Sequence, residues 1–311
     1  MNILNTIGNT PLVKVYDTDE LWVKLEGRNP FGSVKDRAAQ YVICKGIRDG
    51  VINKDTEVIE SSSGNFAIAL AGVCKVMGIK FTCVIDPLIS EVNRKILCVY
   101  GANIIESHTP DKNGNYVQDR IRIVKNNIQS RDNMFWPNQY DNPIICEAYE
   151  KTIGSEISTL EKLDYLFVAV STCGTISGIS KAVKKEHPET QIIAVDVEGS
   201  HIFRSTNSKK YINGMGASFT PPNLHRAQID DYIIVDTKEC IEGCEALLRK
   251  GILVGPSSGA VLSAFNKAKR EKKLKEKSVS VAVFPDRGSR YLDTIYDSKW
   301  QKEILALIDE C

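Results

Sequence analysis

Between residues 57 and 106 the chain alternates short β-rich runs with amphipathic stretches, and this pattern limits its possible folds more than any other feature. EVIE (57–60), KFTCVID (80–86) and NIIE (103–106) have the composition of buried strands, while 66–77 and 91–100 have helical spacing. The product is a βαβαβ unit, in which successive parallel strands are joined by crossover helices. Gly78 and Gly101 stand where left-handed C-caps are expected, and Ser90 stands where an N-cap is expected. A second series runs from DYLFVAV (164–170) through a polar loop and a helix at 177–185 to QIIAVDV (191–197). It continues with a helix near 238–250, another from Ala260, and the strand VSVAVF (279–284). The expected class is therefore α/β, with two doubly wound, mainly parallel sheets covered by helices. The stretches 107–115 and 199–215 read as loops, and KREKKLKEK (269–277) reads as a solvated helix end.

A chain of 311 residues provides enough material for two packed lobes around a cleft. Its 40 basic and 39 acidic side chains are interspersed, which argues against a nucleic-acid or anionic-membrane partner and for a small-molecule ligand. The opening MNILNTIGNTPLV lacks a signal-like apolar core, and a soluble cytoplasmic protein is expected. Nine scattered cysteines contain no Cys-x-x-Cys pair, which points to reduced thiols and to no metal site. Cys240 and Cys244 share a helical spacing, but no histidine lies near them in sequence. The four histidines show no relay spacing.

Four segments have the composition of a reactive site. In NPFGSVKDR (29–37), Ser33 and Asp36 have capping-box spacing, which sets Lys35 in a first helical turn. There the helix dipole disfavours an ammonium and lowers its pKa, as an imine-forming lysine requires, although a solvated lysine fits the same position. In ESSSGN (60–65) a strand-to-helix turn offers hydroxyls and free N–H groups to a carboxylate at the sheet edge. STCGTISG (171–178) follows an apolar strand and suits a phosphate without lysine or arginine, and it matches neither a P-loop nor GxGxxG. GPSSGA (255–260) opens a helix, and its hydroxyls either cap that helix or meet a heterocyclic nitrogen. A hydroxyl partner would leave such a nitrogen largely neutral.

In this order, and with TIGNTPLV (6–13), NQY (138–140), GMGAS (214–218) and PDRGSRYLD (285–293), these segments resemble the fold-type II pyridoxal-phosphate family of cysteine synthases. The resemblance covers nearly the whole chain. It implies a tryptophan-synthase-β-like architecture with the cofactor in the cleft between two domains. One domain would comprise 1–10 and 33–141, the other 11–32 and 142–311. It also implies a homodimer with pyridoxal 5'-phosphate as cofactor. Lys35 would hold the cofactor as an imine and shuttle the α-proton, Asn65 would contact its 3-hydroxyl, Ser171, Thr172, Cys173, Gly174 and Thr175 would bind its phosphate, and Ser257 would meet its ring nitrogen. Ser62, Ser63 and Gln139 would receive the substrate carboxylate. The implied activity is replacement of the β-substituent of an activated serine through an aminoacrylate.

Departures from the family pattern bear on the substrates. Phe66 replaces the threonine that usually follows SGN, Ser171 and Cys173 replace glycines of the usual GTGGT, Ser218 replaces the last glycine of GAGF, and Asp86 replaces the methionine of the usual Met-Pro. These changes resemble the N-(2-amino-2-carboxyethyl)-L-glutamate synthase branch of diaminopropionate and siderophore biosynthesis, which joins O-phospho-L-serine to L-glutamate. In that branch an arginine, a tyrosine and a serine bind the polar substrate groups, and Arg120, Tyr140 and Ser171 match them here. Arg120, expected on a helix at 116–127, suits a phosphate or carboxylate through bidentate bonding and would be superfluous for hydrosulfide. Cysteine synthesis from O-acetylserine or O-phosphoserine with sulfide is the rival reading. A cysteine lyase or a serine dehydratase would use the same scaffold. A non-catalytic binding protein is opposed by intact Lys35 and Asn65.

Overall fold

A computed structural model describes residues 2–15, 21–112, 114–204, 206 and 208–309. Among these residues the strands form two sheets. The strands of the smaller sheet are β3 (Glu57–Ser61), β4 (Lys80–Ile85), β5 (Asn103–Glu106) and β6 (Met134–Phe135), and those of the larger are β1 (Leu12–Lys14), β2 (Leu21–Leu25), β7 (Tyr165–Ala169), β8 (Gln191–Val197), β9 (Asp231–Val235) and β10 (Ser280–Phe284). The four-stranded sheet is ordered β5-β4-β3-β6 and is parallel throughout. The six-stranded sheet is ordered β1-β2-β10-β7-β8-β9, with only β1 antiparallel to its neighbour.

The helices are α1 (Lys35–Arg48), α2 (Asn65–Met77), α3 (Glu91–Tyr100), α4 (Val117–Ser130), α5 (Pro143–Tyr149), α6 (Ser155–Ile157), α7 (Gly174–Glu186), α8 (Thr237–Leu248), α9 (Pro256–Arg270) and α10 (Ser298–Asp309). A π turn, Glu150–Gly154, links α5 to α6. The expected caps are present: Gly78 and Gly101 are left-handed at φ 69° and 79°, and Ser90 accepts the Asn93 N–H at 3.3 Å. Among the described residues no helix is long and apolar enough to cross a membrane. The eight described cysteines are free.

Continuous apolar runs in the strands follow from burial on both faces. Leu166, Val168, Ile192 and Ala194 point into one core, while Tyr165, Phe167, Ile193 and Val195 alternate into another with α8 and α9. The first core also holds Val58 and Phe81 of the smaller sheet with Phe66 and Leu70 of α2, so one hydrophobic cluster joins both halves. A third cluster covers the far face of the smaller sheet with Ile59, Val84 and Val124.

Three local readings change. Ser33 is not the N-cap: α1 starts at Lys35 after Val34, the Ser33 hydroxyl accepts the Lys35 N–H at 3.2 Å, and the Asp36 carboxylate accepts the Phe31 N–H at 2.7 Å. α7 begins at Gly174, not at 177, so Gly174 and Thr175 of the STCGT segment lie in a helix. α9 begins at Pro256, with Gly255 as N-cap and Ser257 inside the first turn.

Helices α5 and α7 approach closely at Gly178. A methyl group there would run into the Cys146 carbonyl oxygen and lie 2.6 Å from both Glu150 N and Tyr149 Cβ. Because backbone atoms line this contact, Gly178→Ala is expected to cost about 2–3 kcal/mol by overpacking. A fall in the urea midpoint relative to the unmodified protein would measure it.

Candidate active site

The site lies where the carboxyl ends of the two sheets face each other, the usual place for a ligand in open α/β sheets. Lys35 reaches it because the chain before α1 is tied to the end of β10. Ser33 forms a β-bridge with Asp286, and the Val34 N–H donates to the Pro285 carbonyl at 2.8 Å. Behind it, the buried Arg37 guanidinium bonds Glu26 at 2.7 Å and Glu156 at 2.5 Å, and the Lys24 ammonium lies 2.7 Å from Glu156.

The Lys35 ammonium donates to the Thr175 hydroxyl at 3.3 Å and stands 5.6 Å from the centroid of the Tyr149 ring. Burial lowers its pKa to about 8, while Cys173 and Asp286 oppose that shift. The position at a helix start points to the dipole for such a lowering, whereas the dominant cause is desolvation. Tyr149 is almost fully buried and its hydroxyl has no hydrogen-bond partner.

Ser171 through Thr175 turn from β7 into α7. Cys173 is buried in the left-handed conformation at φ 61°, where a branched or bulky side chain would be strained. The Ser177 hydroxyl bonds the Cys173 carbonyl at 2.6 Å and the Asn223 carbonyl at 2.7 Å, which fixes the turn. The Ser171 hydroxyl donates to the Gly216 carbonyl at 3.2 Å, tying this turn to the 214–219 segment. Ser218 lies in that segment, and the neighbouring Phe219 ring sits 5.5 Å from that of Tyr140.

On the opposite wall, the Ser62 hydroxyl oxygen accepts the Ala67 N–H at 3.3 Å, leaving its proton to donate elsewhere. The Gln139 amide donates to the Ser61 carbonyl at 3.1 Å and its backbone N–H donates to Glu60 at 3.3 Å. Burial pushes the Glu60 carboxyl up to about 7, against hydrogen bonds from Trp136, Ser61 and Gln139. Asn223 joins the walls by donating to the Gln139 carbonyl at 2.9 Å and the Thr172 carbonyl at 3.3 Å.

Arg120 projects from α4 and is 5% exposed. Its Nη1 lies 3.0 Å from the Ser63 hydroxyl oxygen and 2.9 Å from Asp86, and its Nε is buried without a partner. The Tyr140 phenol is raised by burial and feels the charges of Arg120, Glu60 and Asp86. The structure thus gathers Arg120, Tyr140, Ser63 and Gln139 on one wall, with Lys35 and the 171–175 turn opposite.

Asn65 is engaged by two partners that no local sequence pattern assigns to it. Its amide donates to Asp286 at 2.7 Å, and Arg290 donates to its oxygen. Ser257 is 5% exposed at the α9 entrance, beside Ser258, whose hydroxyl is buried without a partner. The signal for Asp286 and Arg290 was present in PDRGSR, a polar turn directly after the buried strand β10.

This donor set fits a phosphorylated aldehyde. It has a buried amine with a lowered pKa, an uncharged turn at the N-terminus of a 13-residue helix, and buried oxygens left without partners. Among the described residues no three metal-ligating side chains cluster.

Comparison with known proteins agrees with this chemistry. An O-acetylserine-dependent cystathionine β-synthase from Helicobacter pylori is 32% identical, with a TM-score of 0.87 over 96% of this chain and 99% of that one. A hydrogen sulfide-producing enzyme from Fusobacterium nucleatum is 29% identical, with a TM-score of 0.86 over 94% and 97% of the two chains. O-acetylserine sulfhydrylase isoform 3 from Entamoeba histolytica is 30% identical, with a TM-score of 0.84 over 96% and 94%. The two-sheet architecture is that of fold-type II pyridoxal-phosphate enzymes. Since the model of the family described as pyridoxal-phosphate dependent enzyme matches residues 3–286, the chain belongs to that family and is an enzyme that uses pyridoxal phosphate.

Proposed function

We propose that this transferase replaces the phosphate of O-phospho-L-serine with the amine of L-glutamate, giving N-(2-amino-2-carboxyethyl)-L-glutamate and inorganic phosphate. Lys35 would carry the cofactor, Asn65 would meet its 3-hydroxyl, the turn 171–175 would take its phosphate and Ser257 would take its ring nitrogen. When bound, pyridoxal phosphate supplies an electron sink that lets the α-proton and then the β-substituent depart.

The chain's own groups do the rest. An amine with a pKa of about 8 is partly unprotonated near neutrality, so Lys35 Nζ takes the α-proton as general base and later returns it. The Ser62 hydroxyl keeps its proton for the substrate α-carboxylate, because its oxygen already accepts from α2. Ser63 and Gln139 complete that cradle, and the Tyr140, Ser171 and Ser218 hydroxyls line the acceptor's side.

The observation that carries the choice of substrates is the buried Arg120 guanidinium, fastened to Ser63 of the carboxylate loop with its Nε unpartnered. A buried donor left unsatisfied is costly, and an anionic substrate group supplies the missing acceptor. A second reading is cysteine synthesis from O-acetylserine and sulfide. It is favoured by Asp86, which already neutralises Arg120, and by relatives named for O-acetylserine.

Supplying O-phosphoserine or O-acetylserine with sulfide or glutamate, and weighing the products by mass spectrometry, separates the two. The glutamate adduct is expected from O-phosphoserine. Arg120→Ala is expected to lower kcat/KM for O-phosphoserine or glutamate roughly 10- to 100-fold, the loss of about 1.4–2.8 kcal/mol. Turnover of O-acetylserine with sulfide should change much less, and an equal loss on both would reject the assignment.

Lys35→Ala is expected to abolish both the visible absorbance of the loaded protein and its turnover. In the apoprotein, capture of the cofactor aldehyde by Lys35 should rise with pH through a midpoint near 8, well below the value of 10.5 for an ordinary lysine. The sign follows because only the unprotonated amine attacks. Stopped-flow absorbance across pH, referenced to a free lysine derivative, measures it.

A further inference from the structure

We propose that Asp286 is a positioning residue for the cofactor site: it fixes the orientation of the Asn65 amide and places a fixed negative charge beside Lys35. The inference rests on the reading that Lys35 and Asn65 hold the cofactor.

The geometry starts with complementary donors and acceptors. An ionised carboxylate only accepts and a guanidinium only donates. Asp286 Oδ2 therefore faces the Asn65 nitrogen, at 2.7 Å, and Arg290 faces the Asn65 oxygen. With both ends of the amide specified, flipping it would set like against like at each. Asp286 holds the amide by its nitrogen and Arg290 by its oxygen, so a cofactor oxygen that meets the nitrogen meets a donor and not an acceptor. Arg290 is itself anchored to the Phe31 carbonyl at 2.5 Å, in the turn that precedes α1.

Asp286 is held with equal firmness. It is 2% exposed, it forms the β-bridge with Ser33, and its Oδ2 also accepts the Tyr291 hydroxyl at 2.6 Å. Its other oxygen, Oδ1, is buried with no hydrogen-bond partner and is packed against Gly255, where any side chain would collide with it. A chain that only needed a fastener here would not leave a buried carboxylate oxygen unsatisfied, since that costs about 1–3 kcal/mol or more. The residue thus joins three places: the start of α1 that carries Lys35, the start of α2 that carries Asn65, and the entrance of α9 that carries Ser257.

The charge matters to Lys35. The groups that face its amine are Thr175 and Tyr149 from α7 and α5, Cys173 from the phosphate turn, and Asp286. Cys173 is a neutral thiol at working pH, its pKa pushed up to about 12 by burial, so Asp286 is the anion that acts on Lys35. Burial raises the Asp286 pKa above the ordinary carboxylate value, and the hydrogen bonds from Tyr291 and Asn65 and the charges of Arg290 and Lys35 oppose that rise.

The test uses the apoprotein and cofactor capture, not turnover. Asp286→Asn keeps shape and an acceptor for Asn65 but removes the charge. The midpoint for capture should fall by roughly 0.5–1 pH unit, since an adjacent anion stabilises the ammonium. Asp286→Ala should show the same fall together with a roughly tenfold weaker cofactor dissociation constant, because Asn65 is then untethered. Asn65→Ala should weaken binding and leave the midpoint in place. A purely structural Asp286 would alter the melting temperature and the amplitude but not the midpoint, and an unchanged midpoint in Asp286→Asn overturns the proposal. Should the Asp286 variants fail to fold, carbon NMR of the Asp286 carboxyl in the unmodified apoprotein replaces them. Its titration should inflect near the Lys35 midpoint and lose that inflection in Lys35→Ala, and absence of the inflection overturns the proposal. If Lys35→Ala still captures cofactor covalently, the underlying site reading fails; if it does not, and the midpoint is unmoved, only this inference fails.

Discussion

An amine withdrawn from water governs the design of this protein. Transferring an ammonium into a protein interior costs several kcal/mol unless partners repay it, and the group responds by giving up its proton more readily. Around Lys35 the repayment is partial: a hydroxyl at 3.3 Å, an aromatic face, and one carboxylate. Full neutralisation by a close ion pair would raise the pKa and leave the amine inert, while no compensation would destabilise the start of α1. The intermediate arrangement keeps the nitrogen nucleophilic near neutrality, and the surrounding framework has to supply the rigidity that the lysine does not earn from its own contacts.

That rigidity comes from behind. Two residues beyond Lys35 on α1, Arg37 is fully buried and reaches Glu26 on one side and Glu156 on the other, with Lys24 and Thr10 in the same cluster. Such a buried network is weak evidence for net stability, because desolvation offsets most of its Coulombic gain. Its geometric effect is stronger: α1, the N-terminal segment, β2 and α6 are held in one register, since breaking any pair leaves an uncompensated buried charge. Lys35 is at the front of this clamp and Arg37 at its centre.

Much of the fold was legible because local rules and global packing agree. The strands at 80–86, 164–170 and 191–197 are largely apolar runs, and both of their faces are buried in the structure, which is why no alternation was needed to find them. Strands β1, β2, β6 and β9 escaped assignment for the opposite reason. They are short, mixed in burial or at sheet edges, and their pairing depends on partners far away in sequence. The α5–π–α6 segment was missed because its register is set by close contact with α7, not by a clean helical period. Within the site, Lys35, Asn65, Ser62 and the 171–175 turn could be picked out because each stands at the entrance of an element. The bond from Asn65 to Asp286 spans 221 residues, and no local pattern reports it.

The same distinction explains why the acceptor is harder to read than the reaction. The roles proposed in proton transfer and cofactor retention fall on groups at element termini, where the backbone dictates direction. The proposed substrate choice rests on a balance between side chains on different elements, here Arg120 from α4, whose Nη1 meets both Asp86 at the end of β4 and Ser63. An arginine that shares one nitrogen with both a hydroxyl and a carboxylate is neither a free anion site nor a purely structural ion pair. Its orientation is fixed by Asp86, and its strength as an anion receptor is reduced by the same contact. A polar acceptor with its own carboxylate can use the fixed Nε edge without expelling Asp86, whereas hydrosulfide gains nothing from it. The pairing of Arg120 with Asp86 is thus better suited to a directional carboxylate or phosphate contact than to general attraction of anions into the cleft.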